Sequence, residues 1–456
     1  MAYRWRCLLG LTILLVMGLA SAHLRLDDSL IYARYIRNAL AGHGLVFNWT
    51  AAGGGDKVNA LTSPLYSYLL LAASWLLRGN ILLAQWLLGM AFLAATVVLA
   101  ERYAPFAGIF IAGTIYFEIT LDMETPLYSL LLLLTVALYA GRRWDRLPLV
   151  ACMLLLSRFE GGLLAAVIAW QMFRRRQWPR WRSFVPALAL LGLYLALNFH
   201  FYGQPLPSSA SAKFYHAQSG YWGRWPTAFL KFERVYLHPL RPFMVLAPVV
   251  LWLAWRGART AQLRIWNPVV LPFCAGLFAF YVLANLPGYA WYLAPFVLFT
   301  LIYAAQGLPR TRVAYVAAGV VMLWPVITGS IGLYRSSNAY VQYRILAQWI
   351  DQNTKSGETI AANETGTLGW YCDRNIIDIV GLTTPENARR LARHDPDSWL
   401  AADKPDYIVV HQPAMIGEQV ALDSPGYAPV GPLLPAETNS NVPRPATYLL
   451  KRKNLP

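Results

Sequence analysis

The run "DDSLIYARYIRNALAGHGLVFN", residues 27–48, decides the fold through its neighbours as much as its own residues. It follows Leu11–Ala20, an apolar stretch preceded by Arg4 and Arg6, and it opens on two adjacent carboxylates. A doubly acidic segment directly after a hydrophobic run is the start of a loop at a membrane surface. Working outward, apolar runs at Ile81–Ala100, Leu127–Ala140 and Val313–Ile327 approach or reach the length that crosses about 30 Å of hydrocarbon. Of 456 residues, 57% are hydrophobic and 14% charged, against roughly 25% charged in a soluble domain. That balance excludes a water-soluble enzyme.

A formal charge of +16 raises the question of nucleic acid. The basic residues do not gather on one soluble face, as phosphate recognition requires. They sit in short loops between apolar runs: Arg4 and Arg6; Arg142, Arg143 and Arg146; Arg174–Arg176, Arg180 and Arg182; Arg256, Arg259 and Arg264; Arg310 and Arg312. By the positive-inside rule these loops are cytoplasmic, so residues 23–60 and the loops near 118–125, 200–240 and 285–291 face outward. Residues 1–22 resemble a signal peptide, yet the many later spans favour an uncleaved first helix.

Four apolar stretches between residues 60 and 142, near 61–77, 81–100, 104–117 and 126–140, give the wrong parity, and 61–77 is expected to lie at the outer interface. Basic clusters at both ends of 147–173 require a hairpin of two half-length helices meeting at Ser157–Gly162. Further spans near 184–200, 241–256, 267–284, 292–307 and 312–330 bring the total to about eleven passes. The reading is a polytopic α-helical membrane protein over residues 1–330. Residues 331–456 follow as an extracytoplasmic α/β domain, with strands at 359–362, 376–380, 407–411 and 448–451 and helices at 343–354 and 385–394. Cys7, Cys152, Cys274 and Cys372 suggest neither a disulfide framework nor a zinc site.

Several polar residues stand out. Asp27 or Asp28 caps the helix that follows, or one caps while the other serves as a general base. Arg34 and Arg37 share a helix face and either bind phosphate or pair with the aspartates. Arg158 and Glu160, at the hairpin apex, either pair or line a polar cavity. Glu124, beside Asp122, caps the helix at Pro126 or has the site-shaping role that a family resemblance implies; Tyr289, Trp291 and Tyr292 form an interface belt or stack on ligand. His43 is a turn residue between Gly42 and Gly44. Asn363, Glu364 and Asp378 organise turns or contact an acceptor.

Taken with "VNALTSPLYSYLL" (58–70), "LDMETPLYSLLL" (121–132), "SRFEGG" (157–162), "FYGQPLPSSASAK" (201–213), "GYAWYLAP" (288–295) and "NETGTLGWYCDRNIIDIVGLTTP" (363–385), the opening run resembles the GT-C glycosyltransferases, specifically their bacterial arabinofuranosyltransferase-like branch. The resemblance implies an inverting transferase in the bacterial inner membrane, with its active site and C-terminal domain on the periplasmic or extracellular side. Its donor would be a sugar, D-arabinofuranose first and mannose or aminoarabinose as alternatives, carried on polyprenyl phosphate. Its acceptor would be a polysaccharide, lipopolysaccharide or pilin-like protein. It implies Asp27 as the likeliest base with Asp28 as competitor, and Lys213, Arg158 and Lys57 as cations for the leaving phosphate. Ser208 and Ser209 stand where the family pattern more often has Asn and Thr. No cofactor is called for; a divalent cation is compatible with the chemistry but not required. A lipid-linked-sugar transporter and a non-catalytic assembly protein are the competing classes.

Overall fold

The computed structural model describes residues 2–50, 54–225, 246–335, 341–435 and 446–453. The expected outward loop 200–240 therefore lies partly outside the described residues, from 226 on, as does the start of the span expected at 241–256.

Helices α1 (Ala2–Ala20), α2 (Asp27–Leu40), α3 (Pro64–Leu76), α4 (Ile81–Tyr103), α5 (Ala107–Ala112), α6 (Ile115–Ile119) and α7 (Thr125–Ala140) form the first half of the bundle. A helical hairpin follows, α8 (Leu147–Ser157) and α9 (Gly161–Arg174), then α10 (Val185–Tyr202) and α11 (Ser208–Ser219). The bundle ends with α12 (Ala247–Ala258), α13 (Asn267–Leu283), α14 (Ala294–Gly307) and α15 (Arg312–Arg335). Proline marks the first turn of α3, α7, α8, α10, α12, α13 and α14. Its fixed φ suits that turn, and its missing N–H would have been unpaired there anyway.

Among the described residues, five helical segments are long and apolar enough to cross a membrane, at Tyr3–Ala20, Ile81–Tyr103, Trp181–Tyr202, Ala290–Gly307 and Arg312–Tyr334. The continuous span expected at 104–117 is instead broken into α5 and α6 at Gly113–Thr114, and α6 carries the buried Glu118. Where helices touch, small residues permit it. A Cβ on Gly257 would lie 1.8 Å from the Tyr303 carbonyl oxygen, and one on Gly307 1.9 Å from that of Leu253, so α12 and α14 cross backbone to backbone. The outer surface of α15 is apolar and bare, with Val313 79% exposed, as a lipid-facing helix requires.

The C-terminal part is α16 (Val341–Asn353), β1 (Thr359–Ala362), α17 (Thr365–Tyr371), β2 (Asn375–Asp378), α18 (Pro385–Ala392), β3 (Tyr407–Gln412), β4 (Tyr427–Leu434) and β5 (Ala446–Arg452). The sheet order is β2-β1-β3-β5-β4, parallel across β2, β1 and β3 and antiparallel through β5 and β4. Strand β4, interrupted by Pro429, Gly431 and Pro432, escapes sequence reading because those residues signal loop. The edge strand β2 is covered by the bundle: Asn48 accepts from the Ile376 N–H and donates to the Ile376 carbonyl, both at 2.9 Å, as a neighbouring strand would. One hydrophobic core runs from the bundle into the face of α17 and β1.

Candidate active site

Helix α2 is held at both ends. Its first turn is capped by Asp122, whose Oδ2 accepts from the Leu26 N–H (3.1 Å) and the Ser29 hydroxyl (2.5 Å). Neither aspartate of α2 therefore needs to cap it. The Asp27 carboxylate reaches across to the start of α17, accepting from the N–H groups of Gly366 (2.9 Å) and Thr367 (2.6 Å) and from the Thr367 hydroxyl (2.7 Å). Burial raises its carboxyl to about 6, with those three donors opposing the rise. At the other end of α2, Arg34 donates to the carbonyls of Phe47, Gly369, Cys372 and Arg374, while Arg37 donates to Trp370 and Gly369. Acidic and basic side chains of α2 thus clasp opposite ends of α17.

This geometry bears on three of the expected roles. Asp27, the favoured base, borders the second cavity described below while accepting three hydrogen bonds from α17. Arg34 is buried against the Phe47 ring at 4.8 Å with its donors on carbonyls, and among the described residues it makes no salt bridge with an aspartate. Lys57 is exposed and lines neither cavity described below.

Asp28, one residue on, is different: among the described residues its carboxylate has no hydrogen-bond or ion-pair partner. It lines two cavities at once, together with Lys213 and Trp291. The first, about 360 Å³, runs into the bundle and joins Arg158, Glu160 and Tyr292 to apolar walls from Leu163, Phe214, Leu277 and Phe280. The second, about 460 Å³, opens toward the sheet and is bounded by His216, Trp222, Tyr289, Asn363 and Glu364. Burial pushes the Asp28 carboxyl above the ordinary carboxylate range, with Lys213 and then Arg158 pulling it back.

Arg158, in the turn between α8 and α9, bridges two carboxylates: Nη1 to Glu124 at 2.6 Å and Nη2 to Glu160 at 2.8 Å. Its guanidinium also stands over the rings of Tyr292 (5.1 Å) and Tyr128 (5.7 Å). Glu124 thus serves Arg158 and makes no side-chain cap on α7; its other oxygen accepts from the Tyr32 hydroxyl at 3.3 Å. Lys213 lies 4.1 Å from the Tyr289 ring centre, and among the described residues it makes no salt bridge. Tyr289 stacks on Trp291 at 4.8 Å and nearly parallel.

Of the acceptor-side candidates, Asn363 donates to Glu418 Oε1 (2.7 Å) and the Ile416 carbonyl. Asp378 closes the turn after β2, accepting from the N–H groups of Val380, Gly381 and Thr383. Its role there is turn-building, although it borders the second cavity. His216 and Trp222, stacked at 4.3 Å, are wall residues that sequence reading passed over. Their signal, a His eight residues after Ser208 on one helix, is too common to notice. Among the described residues no group of three or more His, Cys, Asp or Glu side chains gathers as a metal site.

The fold is similar to that of ArnT from Cupriavidus metallidurans bound to undecaprenyl phosphate, at TM-score 0.60 and 12% identity over 98% of both chains. The apo state of the same protein gives 0.55 and 13%, over 98% of this chain and 97% of that one. The Archaeoglobus fulgidus oligosaccharyltransferase in complex with Zn and sulfate gives 0.51 and 13%, over 88% of this chain and 68% of that one. Residues 334–449 match a family described as "Domain of unknown function (DUF8728)". No curated protein matches the sequence. The fold of this chain is thus similar to the folds of ArnT and of the archaeal oligosaccharyltransferase.

Proposed function

Starting from the GT-C fold, we propose that this chain is an inverting glycosyltransferase that moves one sugar from a polyprenyl-phosphate donor to an acceptor hydroxyl. The observation that carries the reading is Asp28, which among the described residues has no hydrogen-bond or ion-pair partner, lies at the junction of two cavities and is under the influence of Lys213 and Arg158. The bundle-side cavity, apolar with cations at one end, suits a prenyl chain and its phosphate; ArnT bound to undecaprenyl phosphate supports that choice. The second cavity takes the acceptor, presented by the C-terminal α/β part, and we divide the chain at residue 330.

In this mechanism the acceptor hydroxyl lies against Asp28, which removes its proton as the oxygen attacks the anomeric carbon. The bond from that carbon to the phosphate oxygen breaks on the opposite face, inverting the configuration. Lys213 meets the charge that develops on the leaving phosphate. Arg158, already held by Glu124 and Glu160, fixes the wall of the cavity. Asp27 acts as a positioning residue, setting α2 against α17. The position of the basic loops supports an outward-facing site in a bacterial inner membrane. The sequence motifs support D-arabinofuranose as the sugar, with mannose or aminoarabinose as the alternative. The acceptor classes are a polysaccharide, lipopolysaccharide or a pilin-like protein.

The test is transfer from synthetic polyprenyl-phosphoryl arabinofuranose, mannose and aminoarabinose to an acceptor panel, comparing wild type with Asp28→Asn. Turnover by wild type and its loss in the variant supports the reading. No turnover of any donor, or full activity in the variant, overturns it.

A further inference from the structure

A separate cavity of about 240 Å³ lies between α7, α8, α9 and α10, at the end of the hairpin away from Arg158. Its walls are apolar, and Ala151, Ala165, Ala169 and Ala187 leave the space that larger side chains would fill. It reaches the surface at Trp178, which is 55% exposed, and at Leu188. With Trp170 and Trp181, also exposed, Trp178 marks the depth of a membrane interface, where indole rings reside.

The two loops that close this end of the hairpin hold eight arginines: Arg142, Arg143 and Arg146 before α8, and Arg174, Arg175, Arg176, Arg180 and Arg182 after α9. All are exposed. Asp145 is the one carboxylate in the same loops, and it is engaged by Arg180, whose backbone N–H donates to it at 2.9 Å. That contact holds the loops together beside the cavity. The positive-inside rule accounts for the sign of these loops but not for an apolar cavity set between them.

We propose that this cavity is a binding site for an anionic phospholipid, with one acyl chain between α8, α9 and α10 and the headgroup against the arginines of the two loops. The apolar lining excludes a free anion as occupant, and the unbalanced charge selects an anionic headgroup over a zwitterionic one. The chain also braces the hairpin that carries Arg158 and Glu160 at its other end. The site stands apart from the proposed transferase centre and does not depend on it.

The experiment is native mass spectrometry of the full-length protein in detergent, titrated separately with phosphatidylglycerol, cardiolipin and phosphatidylcholine. Wild type is expected to retain an anionic lipid at least about tenfold more tightly than phosphatidylcholine. Ala169→Trp, which fills the cavity, and the triple variant Arg174→Gln, Arg175→Gln, Arg176→Gln are each expected to erase that preference. Leu188→Trp replaces Ala169→Trp if the latter lacks a wild-type thermal transition. Equal retention of all three lipids overturns the proposal. So does an anionic preference that survives the cavity-filling variant, because the arginines would then act as a basic surface without a site.

Discussion

Gly366 and Asp27 lie in backbone contact: a Cβ added to Gly366 would stand 1.8 Å from the Asp27 carbonyl oxygen, while the Gly366 N–H donates to Asp27 Oδ2 at 2.9 Å. The pair joins the segment that follows α1 to a helix more than three hundred residues later. Gly369 repeats the close approach one turn on, against Arg34 and Phe47. Since Asp28 follows Asp27 directly, this contact sets where the proposed base points.

Gly366→Ala cannot keep this spacing, because the clash is with backbone rather than with a side chain that can move aside. We expect a loss of about 2 kcal/mol or more, at the upper end for overpacking, and faster proteolysis between α15 and α17. The thermal midpoint in detergent checks it; a wild-type midpoint would show that the α2–α17 contact contributes nothing.

Adjacent aspartates should fail differently. Asp28→Asn is expected to lower kcat by about 10²–10⁴, the range for a lost general base, with an unchanged thermal midpoint. Asp27→Ala leaves the N–H groups of Gly366 and Thr367 without their acceptor and should destabilise by about 1–3 kcal/mol, with residual turnover. Reversed phenotypes would exchange the two roles.

The pH profile follows from the direction of the Asp28 shift. A base works deprotonated, and burial raises this carboxyl, so the acid limb of kcat/KM should lie above the value of about 3.9 for a free aspartate. Lys213 is the largest influence holding it down. Lys213→Met should move the limb to higher pH as well as slow the reaction; an unmoved limb would mean that Asp28 is not the titrating group.

Arg158→Met strands Glu124 and Glu160, which are 1% and 17% exposed at their side chains. Removing one partner of a buried ion pair costs about 3–5 kcal/mol. Arg158→Lys should recover little, because a single Nζ replaces the two Nη atoms of the planar fork that reach Glu124 and Glu160 separately. Denaturation midpoints of both variants, measured beside Glu124→Gln, provide the check.

The sequence by itself determined what depends on local chemistry. Prolines mark the helix starts, the half-length hairpin with its turn after Ser157 follows from apolar runs and charge, and β1 stands at Thr359–Ala362 as its composition suggests. It also brought Asp28, Arg158, Glu160, Lys213 and Trp291 forward as candidates, and these meet around one cavity. Only the tertiary structure separated Asp27 from Asp28. Both border the second cavity and Asp28 also lines the first; consecutive residues on a helix point about 100° apart, and the donors that engage Asp27 come from α17, far along the chain. The same distance in sequence hid the fate of Arg34, whose guanidinium is satisfied by carbonyls from residues 369–374. A charged side chain declares its chemistry in the sequence; its partner, and so its role, is chosen by whichever backbone the fold brings beside it.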